Sequence, residues 1–275
     1  MPIRYSSMQG AGNRILVVDA RSAPVEVPSA DTLRRLADAS SGAGFDQLMW
    51  LFAPARPVSA ASYRVFNRDG SEVEQCGNGV RCVAKLLARE AVAGCLELDS
   101  PAGPVKAKLK ADGRVTVNMG VPRFEPAELP FIADETRDTY ELDVDGRTVV
   151  IAAVSMGNPH CVIEVDDVST APVAELGPKV EQHERFPARV NVGFRQLLDR
   201  GEISLRVYER GAGETLACGT GACAAAVTGQ SAGQLDDVVT VNLPGGQLMV
   251  SWAGPGEPVW LTGNAELIEE GTLDL

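Results

Sequence analysis

The chain has 275 residues, room for two domains at about 150 residues each, and with 45% apolar and 23% charged residues it reads as folded rather than disordered. Its 37 acidic residues outweigh 25 basic ones, a net charge of -12 that repels nucleic-acid phosphates and anionic membrane surfaces. Three Trp, four Tyr and seven Phe leave little for base stacking, and apolar runs such as 48–53 and 149–154 fall well short of the ~20 residues a membrane span needs. Neither a nucleic acid nor a membrane is expected as a partner. No apolar segment follows Arg4, so no signal peptide is expected, and six cysteines in so long a chain point to reduced, cytoplasmic thiols.

Short β-branched and apolar runs predict strands at 15–19, 63–66, 105–109, 115–117 and 148–154, and again at 161–165, 204–208, 238–242 and 248–252. Asp112-Gly113 and Asp145-Gly146 are hairpin signals that favour antiparallel pairing. Helices are fewer. One is predicted over 30–39, with Ser29 as its cap, and one from Pro178 in a first turn through His183. Two more begin after Cys76-Gly77, over 78–90, and after Cys218-Gly219, over 220–229.

The chain repeats itself. RVFNRDGSEVEQCGNG from Arg64 and RVYERGAGETLACGTG from Arg206 lie 142 residues apart and agree at seven of 16 positions. Upstream, SMQGAGNRILVVD from Ser7 is matched by SMGNPHCVIEVD from Ser155; downstream, the PAG at Pro101 returns as the PGG at Pro244. A period near 145 is too long for a solenoid and fits two homologous domains. The expected architecture is α+β: two pseudo-symmetric domains, each a mainly antiparallel sheet curled around one central helix. The boundary is expected in the proline-rich 122–130 stretch, giving domains 1–121 and 122–264.

In CGNGVRC and CGTGAC, glycines bare the backbone where a helix opens, so unpaired N–H groups and the helix dipole suit a carboxylate. A cysteine in front of such a site is expected to ionise more readily than a free thiol, which makes Cys76 and Cys218 candidate bases. Cys82 and Cys223 lie about 240° and about 140° further around their helices and point elsewhere. The spacings are not those of a zinc knuckle and the CxxC redox signature is absent, so no metal is expected. Two such thiols facing each other about a pseudo-twofold axis suit one reaction: removal of an amino-acid Cα proton from one face and delivery of another to the opposite face, with inversion. The scheme demands no cofactor, and no dinucleotide fingerprint, Walker loop or marked pyridoxal lysine is visible.

The strings GAGN, GFDQ, NRDGSEVEQCGNGVRC, SMGNPHCV, RVNVGF and ERGAGETLACGTGACA resemble the diaminopimelate epimerase family over nearly the whole chain. The resemblance implies a cofactor-independent isomerase of the lysine and peptidoglycan pathway that interconverts LL- and meso-diaminopimelate in a cleft between two domains. It implies that residues 265–275 return to the first domain and that the protein is a homodimer. It assigns Cys76 as proton donor and Cys218 as proton acceptor for the LL substrate, with His160 and Glu209 tuning the thiols. Substrate contacts are implied at Asn13, Gln47, Asn67, Asn158, Asn191, Glu209 and Arg210, the last for a distal carboxylate, and a backbone cradle at Gly77, Asn78, Gly219 and Thr220. One departure stands out: Arg14 and Ile15 occupy positions where the family carries an Asp and an aromatic, so that Arg14 either alters contacts at the substrate's distal end or points to solvent. The competing readings are a related cofactor-independent racemase akin to the proline racemases, and a non-catalytic or redox protein that keeps the fold.

Overall fold

The computed structural model describes residues 3–22, 25–40, 42–73, 76–88 and 94–273. It divides into two units, residues 1–118 with 262–275, and residues 119–261.

In the first unit, β1 (Ile3–Gly10) and β2 (Asn13–Asp19) form a hairpin, α1 (Ala30–Ala37) follows, and β3 (Gln47–Phe52) lies parallel to β2. Next come β4 (Ala61–Asn67), antiparallel to β3, β5 (Glu72–Val73), α2 (Gly77–Leu87), β6 (Cys95–Ser100), β7 (Gly103–Leu109) and β8 (Val115–Asn118). Strand β6 lies parallel to β4, and β6, β7 and β8 form a meander. The Ser29 hydroxyl accepts from Thr32 N–H and starts α1 where the sequence placed its cap. The runs ILVV and LMWL in β2 and β3 are buried on both faces, which the apolar continuity of parallel neighbours anticipates. Leu16, Val18, Leu48 and Trp50 pack with Leu33 and Ala37 of α1. On the opposite face α2 approaches closely enough that a Cβ on Gly79 would collide with Met49.

The second unit uses the same order. It opens with β9 (Tyr140–Val144) and β10 (Arg147–Ser155), joined by a turn in which Asp145 and Gly146 both take positive φ, then β11 (Pro159–Glu164), α3 (Val173–Glu181) and β12 (Asn191–Asp199), parallel to β11. After these come β13 (Glu202–Glu209), β14 (Gly213–Thr215), α4 (Gly219–Ser231), β15 (Val238–Leu243), β16 (Gly246–Ser251) and β17 (Trp260–Gly263). Strand β15 lies parallel to β13, as β6 does to β4. Last, β18 (Glu266–Leu273) pairs with β1 in the first unit. Helix α4 is almost wholly enclosed, and its ACAAAV run of small side chains is what lets strands crowd around it.

Each sheet is mainly antiparallel, as expected, and also holds two parallel pairings, because α1 and α2, or α3 and α4, are crossover connections. Pro178 lies inside α3 rather than in its first turn, since the helix already begins at Val173. The proline-rich stretch packs into the second unit, where Leu129 and Phe131 are buried in the core, and the units divide at 118/119 and 261/262. Helix α2 ends at Leu87 with Ala88 as its C-cap, and Glu90, where the helix was expected to end, lies outside the described residues.

Candidate active site

The repeat survives as geometry. Arg64 and Glu72 form a two-pronged ion pair across β4–β5, with nitrogen-to-oxygen distances of 2.7 and 2.6 Å, and Arg206 and Glu214, 142 residues on, form the same pair across β13–β14 at 2.7 and 3.0 Å. Each hairpin leads into a helix whose N-cap is a cysteine. Cys76 Sγ accepts from Gly79 N–H at 3.1 Å, and Cys218 Sγ accepts from Gly221 N–H at 3.4 Å.

In the first unit the amide side chains form a relay. Cys76 Sγ donates to Gln47 Oε1 at 2.6 Å, Gln47 Nε2 donates to Asn67 Oδ1 at 3.2 Å, and Asn67 Nδ2 donates to Ser71 Oγ at 3.1 Å. Gln47 and Asn67 meet because they are register partners across β3–β4. Asn13 opens β2 after a turn in which Ala11 and Gly12 take positive φ. Gly77 and Asn78 form the first turn of α2, and the Asn78 Oδ1 is already held by buried Arg81 at 2.6 Å. Arg14 lies at the exposed surface. Its guanidinium binds Glu269 on β18 at 2.7 Å and Ser7 at 3.1 Å, tying the hairpin to the returning strand.

In the second unit the charged residues gather. Cys218 Sγ lies 3.5 Å from Thr220 Oγ1, Asn158 Nδ2 donates to the same hydroxyl at 3.5 Å, and Asn158 Oδ1 lies 3.0 Å from His160 Nε2. Because an amide oxygen only accepts, Nε2 carries the imidazole proton and Nδ1 the lone pair. Burial, with the Arg210 charge, pushes His160 down to about 3, so the ring is neutral at physiological pH. Glu209 Oε1 accepts from Thr215 Oγ1 at 2.6 Å. Asn191 is held within the protein: Nδ2 donates to Pro159 O and Oδ1 accepts from Arg210 N–H. The Arg210 guanidinium reaches Ala188 O at 3.0 Å.

Cys218 corrects the expectation of a readily ionised thiol. Burial strips its solvent and the Glu209 carboxylate opposes a second negative charge, which together raise it well above a free thiol despite the helix N-terminus. Position 67 in the first repeat is Asn where position 209 is Glu, so the carboxylate beside Cys218 has no counterpart at that position of the first repeat. Thr215, which holds Glu209, was not singled out in the sequence; its repeat counterpart is Val73, and that change from apolar to hydroxyl was the available signal. Cys82, Cys161 and Cys223 are buried, while Cys95 is exposed.

The family model for diaminopimelate epimerase matches residues 5–125 and 152–268. The chain belongs to the diaminopimelate epimerase family. A diaminopimelate epimerase from Pseudomonas entomophila is 50% identical, and one from Alkalilimnicola ehrlichii 52%, each over the whole of both chains. Family membership carries the activity: the isomerisation of diaminopimelate, a step of lysine biosynthesis. Among solved structures, a PhzF-family phenazine biosynthesis protein from Bacillus anthracis matches with a TM-score of 0.70 at 17% identity over all of both chains. A hydroxyproline epimerase from Agrobacterium vitis, with trans-4-hydroxy-L-proline bound, matches with a TM-score of 0.70 at 17% identity over 99% of this chain and 92% of that one. These two share the epimerase fold. Among the described residues of this family member, no helix is long and apolar enough to cross a membrane.

Proposed function

We propose that the chain interconverts LL- and meso-diaminopimelate by a two-thiol proton exchange at Cα, with Cys76 and Cys218 as the two groups. The observation that carries this reading is that both thiols cap helices at corresponding places in a duplicated unit, each among backbone N–H groups suited to a carboxylate. A thiolate removes the Cα proton and becomes a thiol; the other thiol gives its proton to the opposite face and becomes the thiolate, so charge and protons balance. The negative charge that builds on the substrate carboxylate is met by the helix N-termini at Gly77–Asn78 and Gly219–Thr220.

Glu209 is the partner of Cys218: the pair shares one proton, and transfer to the carboxylate produces the thiolate that the LL substrate needs. His160, neutral and fixed through Asn158, orders the Asn158–Thr220 side of the same unit. Asn13, Gln47, Asn67 and Asn158 offer amides to the substrate's ammonium and carboxylate groups, and Arg210 offers a cation to the distal carboxylate. Asn191, with both ends of its amide engaged, serves by holding Arg210. The working form in this reading is a cytoplasmic homodimer, which sedimentation equilibrium reads directly.

The test is to incubate reduced protein with LL-diaminopimelate in heavy water and follow deuterium entry and configuration at Cα. Wild type is expected to incorporate solvent deuterium with inversion, and Cys76→Ala and Cys218→Ala are each expected to lose epimerisation while keeping the fold. Turnover near wild type in either variant would sink the two-thiol scheme.

A further inference from the structure

Glu181, the last residue of α3, is 2% exposed, yet it carries a carboxylate. Its Oε1 accepts from Gly211 N–H at 2.8 Å and from Arg189 Nη2 at 3.0 Å. Gly211 follows Glu209 and Arg210, so the carboxylate grips the turn that leaves the proposed partner of Cys218. One residue earlier, Asn191 grips Arg210 N–H at 2.9 Å. One residue before Glu209, the Tyr208 ring lies flat enough on α3 that a Cβ at Gly177 would meet it at 2.7 Å. The segment 208–211 is thus pinned at three points, two of them on α3.

The other half of the duplication has a matching clamp of opposite polarity. Position 211 corresponds to Asp69, and there α1 reaches the turn with Arg34, whose Nη1 donates to Asp69 O at 3.1 Å. Arg34 is more than half exposed, whereas the Glu181 carboxylate is enclosed. The enclosed Glu181 oxygen is shared between the Arg189 guanidinium and the Gly211 amide, so part of a buried side chain is committed to holding this one turn. The turn it holds carries Glu209.

We propose that Glu181 is a positioning residue for the reaction: by holding Gly211 N–H it fixes the Glu209–Arg210 turn and so sets Glu209 against Cys218. The inference rests on the two-thiol reading above. Its contact with the turn is a hydrogen bond to an amide, distinct from its ion pair with Arg189, so for holding the turn reach matters more than charge. Glu181→Gln keeps an oxygen at the same distance and loses the charge; Glu181→Asp keeps the charge and falls one methylene short.

The experiment measures kcat, KM and the pH profile of kcat/KM for LL-diaminopimelate in the full-length Gln and Asp variants, with Tm recorded for each and Cys218→Ala run alongside. The Gln variant is expected to stay within about threefold of wild-type kcat with an unmoved pH profile. The Asp variant is expected to lose on the order of tenfold or more in kcat and to shift the pH limb governed by Cys218, since a displaced catalytic partner has that size of effect. An Asp variant with wild-type kcat and profile overturns the role, as does a Gln variant impaired as much as Asp. A fall in Tm with kcat and pH profile unchanged also overturns it, because that is the signature of a structural contact. If Cys218→Ala itself turns over, the two-thiol reading fails first. If it is dead while the Asp variant is normal, only the role of Glu181 falls.

Discussion

At the scale of single residues, the two repeated cysteines are equal in sequence and unequal in setting. Both cap helices, and that much follows from a cysteine ahead of a glycine-rich helix start. Yet the carboxylate facing Cys218 has no counterpart at the matching place, because Glu209 stands where the first copy has Asn67, and the burial of Cys218 depends on strands far away in the chain. The amplitude of that difference is testable. In a Cys76→Ser background, ultraviolet titration of thiolate absorbance is expected to show Cys218 ionising only at strongly alkaline pH. Adding Glu209→Gln should move the transition to lower pH, since a neutral amide no longer opposes the thiolate, although burial still keeps it above a free thiol. No shift between the two would mean that Glu209 does not act on Cys218. The same variant is expected to lose epimerase activity, having lost the proton's destination.

Elements decide how firmly these groups are held. Runs such as ILVV and LMWL announced strands, and Ser29 announced the start of α1, since these depend on neighbours along the chain. Helix α3 was legible only in part: Pro178 suggested a helix start, but burial of Val173 against the sheet extends the helix five residues upstream. Its face toward β13 is marked by Gly177, where only hydrogen fits against the Tyr208 ring. Gly177→Ala is accordingly expected to destabilise the fold by about 1–3 kcal/mol despite alanine's better helix propensity, because a ring root is a stiff neighbour. Urea unfolding measures it, and a neutral or stabilising result would show that β13 gives way easily. Activity is expected to fall with it, since Tyr208 adjoins Glu209.

For the whole molecule, buried titratable groups set the pH range of stability. His160 binds a proton less well when folded, about 3 against 6.5 unfolded, so the unfolded chain takes up the extra proton as pH falls. Stability is therefore expected to drop below pH 6.5 at a slope approaching about 1.4 kcal/mol per pH unit, before the carboxylates titrate below about 4. Denaturant unfolding of wild type and His160→Gln between pH 6.5 and 4.5 reads this; equal slopes would refute it. The buried thiols act at the other end. Burial raises Cys82 to about 12 and also raises Cys161 and Cys218, so their share of stability is present below about 9 and lost as pH rises. The family, the duplication, the thiol pair and most strands were determined by sequence alone, because motif spacing and apolar periodicity are local properties of the chain. That Cys218 is hard to ionise, where Arg14 finds Glu269, and that Glu181 holds the turn beside Glu209 were decided only by tertiary structure. Desolvation and partner choice depend on segments that lie 30 to more than 250 residues apart and meet only on folding.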